Sequence, residues 1–502
     1  MAKDVYFTAN ASDYTQLEGL YITEKDPPGF VTGVSLNAVG IIGVTTRGPT
    51  TVTQVDSAAR FVEIFGGRDY GSGGTLINKI WKDIINKPFG TMYIKRVAAS
   101  DAVAGAKAFA AASATAAITV TATSVGQWST SANGGPKITI ANATNGDSDY
   151  FNLTVSYQGS ATTYENIVTT STATDDDVAA IIGDDDGTLI SVTITNNVRP
   201  ANAASTALSS GSDGTLASAD FTSALTAIAN TEGPKIIFCA DVATSQANLN
   251  AQIVTDAATV SDKIFVTWAG VHGQTPAAEA STVGTQITTR SDRIVWCYNS
   301  PYTIDPTTGT QIQVSPAPWM AAILSQTDVD THPGSADNVT HTAGIRKLTN
   351  TSLSRANLIT LRDAGICAFE KLPEGFVFRS GVTTNLTSGL TEITRRRMTD
   401  YIQLSLANRL RYYVKRKNTT ANRAAVRADI ENFLTSLAIR DRIVDTLSDG
   451  SPAFAIDQDG VNNANTRAQG IENVFLQVKL INHILSLALL TEIGTTVSIT
   501  EQ

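Results

Sequence analysis

The sequence predicts a multidomain α+β chain. An α/β sheet domain carries an inserted all-β domain and is followed by a C-terminal α+β domain, with extended arms at both ends. Three observations predict this. Short apolar runs alternate with spaced aliphatics in residues 27–99 and again in 206–343, the strand–helix rhythm of a parallel sheet. Between them, residues 100–205 turn to Thr and Val at period two with Asn-Gly and Gly-rich joints, the pattern of a β-sandwich or barrel. The best helical pattern in the chain lies between residues 387 and 416. A length of 502 residues accommodates about three such domains.

In chain order, residues 1–26 hold two strand-like pieces, Val5-Tyr6-Phe7 and Leu20-Tyr21-Ile22, and stop at the stiff Pro27-Pro28-Gly29; they read as an arm. Val39-Gly40-Ile41-Ile42-Gly43-Val44 reads as a buried strand, and Gly48-Pro49 as a turn. Ser57 or Asp56 caps a helix carrying Phe61, Ile64 and Phe65 that ends at Gly66-Gly67. Leu76, Ile77, Ile80, Trp81, Ile84 and Ile85 line a second helix, and Met92-Tyr93-Ile94 is a strand. Five alternating stretches follow in the insert, at 118–123, 137–141, 150–157, 163–169 and 189–195. Apolar strands at 235–239, 263–268 and 293–298 return the chain to the first domain.

The C-terminal domain is expected over 344–490. Met398, Ile402, Leu406, Leu410 and Val414 recur at i+4, with Tyr401 and Tyr413 widening the stripe. Asn418 or Thr419 caps the next helix, whose apolar face is Val426, Ile430, Phe433, Leu434 and Leu437. Strand runs at Gly365-Ile366-Cys367-Ala368-Phe369 and Val474-Phe475-Leu476-Gln477-Val478 flank the pair. The tail 491–502 alternates Thr495, Val497 and Ile499 with polar residues; a strand that short needs a partner.

Charge and motifs narrow the function. The net charge is −9, but residues 346–502 hold 20 Lys and Arg against 15 Asp and Glu, a basic end on an acidic body. Two basic clusters, Arg395-Arg396-Arg397 and Lys415-Arg416-Lys417, read either as solvated helix flanks or as contacts to an acidic protein partner. The sequence pI of about 5.1 argues against nucleic acid. The glycines of 66–74 lack the Gly-Lys-Ser/Thr ending of a P-loop and read as a helix connection. The runs Asp175-Asp176-Asp177 and Asp184-Asp185-Asp186 lack EF-hand spacing and read as turns. The four histidines are scattered, no nucleophile elbow occurs, and no catalytic residue, cofactor or metal site is assigned. Cys239, Cys297 and Cys367 sit far apart in apolar runs, as buried free thiols. No signal-peptide pattern opens the sequence and no run approaches the ~18 apolar residues of a membrane span, so folding in a reducing cytosol is expected.

The order of several motifs resembles a known family. Pro28-Gly29-Phe30, Val39-Gly40-Ile41-Ile42-Gly43-Val44, Arg47-Gly48-Pro49 and Phe61-Val62-Glu63-Ile64-Phe65-Gly66-Gly67 come near one end. Gly365-Ile366, Gly381-Val382-Thr383-Thr384, Arg396-Arg397-Met398-Thr399-Asp400-Tyr401-Ile402 and Phe433-Leu434 come near the other. Together they resemble the contractile tail sheath proteins of bacteriophages and related injection machines.

The resemblance implies a structural, non-enzymatic subunit of a virion tail, assembled in the host bacterial cytoplasm. It implies hexameric rings stacked helically around an inner tail tube protein, with baseplate and tail terminator proteins as further partners. Nucleic acid and membrane insertion are not expected. On contraction such a sheath drives its tube through the host envelope. The C-terminal domain becomes a tube-facing assembly domain, and the insert faces outward. Strand exchange between neighbouring subunits falls to Val5, Tyr6, Phe7, Leu20, Tyr21 and Ile22 at one end and Thr495, Val497 and Ile499 at the other. Arg395, Arg396, Arg397, Lys415, Arg416 and Lys417 are the candidate tube-facing residues. Two alternatives remain at this point: a surface-exposed adhesin or binding module built on the Thr-rich insert, and a nucleotide-using α/β enzyme.

Overall fold

The computed structural model describes residues 5–7, 20–22, 35–67, 79–112, 116–169, 177–185, 187, 189–233, 235–240, 265–269, 273–287, 290–306, 308–443, 446–447 and 450–483. By its contacts the chain forms two compact units. One is residues 35–397; the other takes Met398 onward together with the N-terminal strands.

The first unit is built on an eight-stranded sheet. From one edge its strands are Gly375–Phe378, Ile366–Leu372, Ile294–Tyr298, Phe265–Ala269, Ile236–Cys239, Val39–Gly43, Met92–Arg96 and Thr53–Val55. The six central strands run parallel, and the two edge strands are antiparallel. Both faces are covered. Val39, Ile41, Val295, Cys297, Cys367 and Phe369 belong to one core with helix Ala317–Gln326. Ile42, Ile294, Trp296, Ile366 and Ala368 belong to the other, with helices Ser218–Ala229 and Pro276–Gln286. Burial on both faces is why these strands are continuous apolar runs rather than alternating ones.

Residues 106–207 form two antiparallel sheets. One orders Ser160–Ile167, Phe151–Tyr157, Lys137–Asn142 and Ala203–Ala207; the other orders Ile190–Ile194, Ala116–Ala122 and Ala106–Ala110. Their inward residues, including Ile118, Ile138, Leu153, Ile167 and Val192, share one core with Trp128. The first and last strands, Ala106–Ala110 and Ala203–Ala207, were not foreseen, because Ala- and Ser-rich segments have no hydrophobic contrast to alternate.

Two expectations for the C-terminal domain need correction. Its start at 344 is not where the chain divides, since Ile366–Leu372 pairs in parallel with Ile294–Tyr298 inside the large sheet. The reason is visible in Ile366-Cys367-Ala368-Phe369, apolar on both faces and therefore stable only where helices cover both sides. The basic excess moves with it: residues 398–502 hold 11 Lys and Arg and 11 Asp and Glu, so that stretch carries no net charge.

The second unit contains the C-terminal part of helix Ile393–Leu410, the helix Thr420–Ile439 and an antiparallel ribbon of Phe454–Asp457 with Phe475–Val478. Thr419 caps the second helix, its hydroxyl accepting from the Asn422 amide at 3.2 Å. Ile430, Phe433, Leu434 and Leu437 are buried, and Tyr401 meets Phe433 at 6.2 Å between ring centroids. The stripe of the first helix ends early. Met398, Ile402 and Leu406 are buried, but Val414 lies beyond the helix and is 64% exposed.

Candidate assembly surfaces

The two basic clusters meet different fates. Consecutive residues on a helix point about 100° apart, and Arg395, Arg396 and Arg397 accordingly separate. Arg395 is exposed. Arg396 is half-buried and bonds Asp292 at 3.3 Å. Arg397 is 1% exposed, and its guanidinium donates to the carbonyls of Leu324, Thr327 and Asp328. Burial lowers its pKa to about 10, against the opposing pull of Asp330 and Asp328, so it stays charged at neutral pH. Arg397 is therefore an internal anchor and not a tube-facing residue. Ile393 carries the signal that was missed: Arg397 is at i+4 from a fully buried position.

Lys415, Arg416 and Lys417 are all exposed, at the turn between the two long helices. The turn is held by its neighbours. Asp429 Oδ2 accepts from both Arg409 Nε and Tyr413 Oη at 2.8 Å. Burial, then the bond to Asp429, raises the Tyr413 pKa. The Tyr412 ring lies 3.6 Å from the Arg416 guanidinium and 5.1 Å from that of Arg409. Lys415 takes a left-handed backbone, φ 69°, which reverses the chain there. Three cations and the exposed Tyr412 and Val414 thus sit on a built corner.

The terminal strand candidates divide likewise. In the single chain Val5, Tyr6 and Phe7 pair in parallel with Leu20, Tyr21 and Ile22. Thr495, Val497 and Ile499 lie outside the described residues. Among the described residues the ribbon of the second unit has two strands, and Phe475 within it and Ile481 just after it are about half exposed.

Other motifs resolve into structural roles. Asp177 caps a short helix, accepting from the Ala179 and Ala180 amides, and Asp185 accepts from Tyr164 Oη at 2.6 Å. Asp175, Asp176, Asp186 and most of the glycine-rich run lie outside the described residues. None of the three cysteines is joined in a disulfide; Cys297 and Cys367 are buried and Cys239 is half-buried. Among the described residues no cluster of His, Cys, Asp and Glu is arranged to hold a metal, and no helix is long and apolar enough to cross a membrane.

No family model and no curated protein matches the sequence. Solved structures do. The sheath tail protein of Desulfitobacterium hafniense aligns over 92% of this chain and 100% of its own, with TM-score 0.59 and 14% identity. That of Listeria innocua aligns over 90% and 97%, with TM-score 0.62 and 13% identity. The helical sheath of the anti-feeding prophage, in its contracted state, aligns over 96% and 100%, with TM-score 0.57 and 11% identity. This chain has the fold of contractile tail sheath proteins.

Proposed function

We propose that the protein is the structural, non-enzymatic subunit of a contractile tail sheath. The observation that carries this reading is the shared fold along nearly the whole chain, insert included. Subunits stack as hexameric rings around an inner tube, form a metastable extended sheath, and shorten to drive the tube through the host envelope. Assembly takes place in the bacterial cytoplasm, on a baseplate and up to a tail terminator.

Two features of the chain fit this role. In this reading the N-terminal strands Val5–Phe7 and Leu20–Ile22, and the alternating sequence of Thr495, Val497 and Ile499, add main-chain hydrogen bonds to ribbons such as Phe454–Asp457 with Phe475–Val478 on neighbouring subunits. Backbone pairing of this kind keeps subunits linked while their domains rotate. The corner of Lys415, Arg416 and Lys417 faces an acidic tube surface. Contraction draws its free energy from contacts that differ between the two assembled states, because a state change needs a difference in interaction. The test is electron microscopy of the full chain and of a version ending at residue 490. Striated tubes lost on truncation support the reading, and tubes formed equally by both remove the C-terminal arm from it.

A further inference from the structure

We propose that the Arg47-Gly48-Pro49 turn, together with Arg96, is a clamp that makes the 106–207 β unit and the eight-stranded sheet one mechanical body. The turn follows the sheet strand Val39–Gly43, and Arg96 ends the sheet strand Met92–Arg96. Both side chains are buried, so neither is available to an outside partner.

Arg47 reaches into the β unit. Its guanidinium carbon lies 5.1 Å from the Tyr157 ring and 6.0 Å from the Trp128 ring. Those rings meet edge to face at 5.9 Å. Nη2 donates to the Glu63 carbonyl at 2.8 Å, while among the described residues Nε and Nη1 have no hydrogen-bond partner. A buried cation left with unpaired donors is costly unless something else meets its charge. Here the faces of two aromatic rings do so, and they belong to the inserted unit. Leaving the rings would expose the charge to nothing but its own domain.

Arg96 closes the clamp by bonding both sides. Nη1 donates to the Gly48 carbonyl at 2.9 Å and Nη2 to the Val125 carbonyl at 2.7 Å. The Gly48 amide in turn donates to Ser124 Oγ at 3.1 Å. Gly48 has φ 103°, and a Cβ there would meet Phe65 at 2.6 Å, so only glycine passes through this point. The two connecting segments are also zipped. Val103 and Ser212 exchange backbone hydrogen bonds, the Gln127 amide donates to Asp213, and the Thr215 amide donates to Asp101. A hinge needs free connections, and these are paired.

The consequence that the insert rides with the sheet during contraction rests on the sheath reading; the clamp itself does not, and its test uses the unassembled full chain. Calorimetry and amide exchange would be measured on the native chain, Arg47→Ala, Arg96→Ala and the milder Arg47→Lys and Arg96→Lys. The native chain is expected to unfold residues 106–207 together with the sheet in one transition. The variants are expected to release that unit into a separate, lower transition, with at least tenfold faster exchange in its strands and unchanged exchange in Ile294–Tyr298. A native chain whose β unit already melts separately overturns the proposal. So do variants in which exchange of the β unit is unaltered.

Discussion

Arg397 Nη2 donates to the Leu324 carbonyl at 2.6 Å, which places a buried cation at the C-terminal end of helix Ala317–Gln326. The last carbonyls of a helix lack intrahelical donors and carry partial negative charge. One guanidinium here serves the Leu324 carbonyl in the last turn, that of the Thr327 cap and that of Asp328 just beyond, from the fifth residue of the helix that opens at Ile393. Replacing Arg397 by Met takes the guanidinium donors away from the Leu324 and Thr327 carbonyls, while the Asp328 carbonyl keeps the Thr331 amide. A loss of about 3 kcal/mol is expected, read as a lower urea midpoint. A midpoint within error of the native one would mean that the anchor contributes nothing.

The corner at residues 415–417 is expected to behave in the opposite way. Lys415, Arg416 and Lys417 are exposed, so reversing all three to Glu should change stability by no more than ~0.5 kcal/mol. Sheath–tube assembly should fail, and in the native chain it should weaken as salt rises, because exposed charges are screened within about 8 Å at physiological ionic strength. Co-sedimentation of sheath with tube, at low and high salt, reads both effects.

Cys297 and Cys367 stand opposite each other on neighbouring parallel strands. Burial raises the pKa of both, that of Cys367 to about 12 from an ordinary value of 9.0. The folded state therefore holds its thiol protons where the unfolded state releases them. Their contribution to stability is complete below about pH 9 and declines as pH rises from there toward 12. Neither thiol should react with an alkylating reagent at pH 8 until the chain unfolds. Peptide mapping of the labelled native protein checks this.

Much of the fold was legible because burial writes itself into the sequence. Val39-Gly40-Ile41-Ile42 and Ile294-Val295-Trp296-Cys297 are apolar at every position, as strands covered on both sides must be. The Thr and Val alternation of Phe151–Tyr157 and Ile190–Ile194 marks strands covered on one side. Ala106–Ala110 and Ala203–Ala207 were invisible, since alanine and serine give neither face a preference. The assembly surfaces were less legible. Three adjacent arginines look alike in sequence, yet helical geometry exposes Arg395, pairs Arg396 with Asp292 and buries Arg397. The charge excess counted from residue 346 falls in residues 346–397, which belong to the first unit, a division that depends on which strand pairs with which.

The measurement closest to the central claim is electron microscopy of this chain co-expressed with the inner tube protein of its own particle. Striated tubes with six-fold rings are expected from the full chain, and bare tubes from the chain ending at residue 490. Bare tubes beside monomeric full-length chain, at every salt concentration, would contradict the sheath reading.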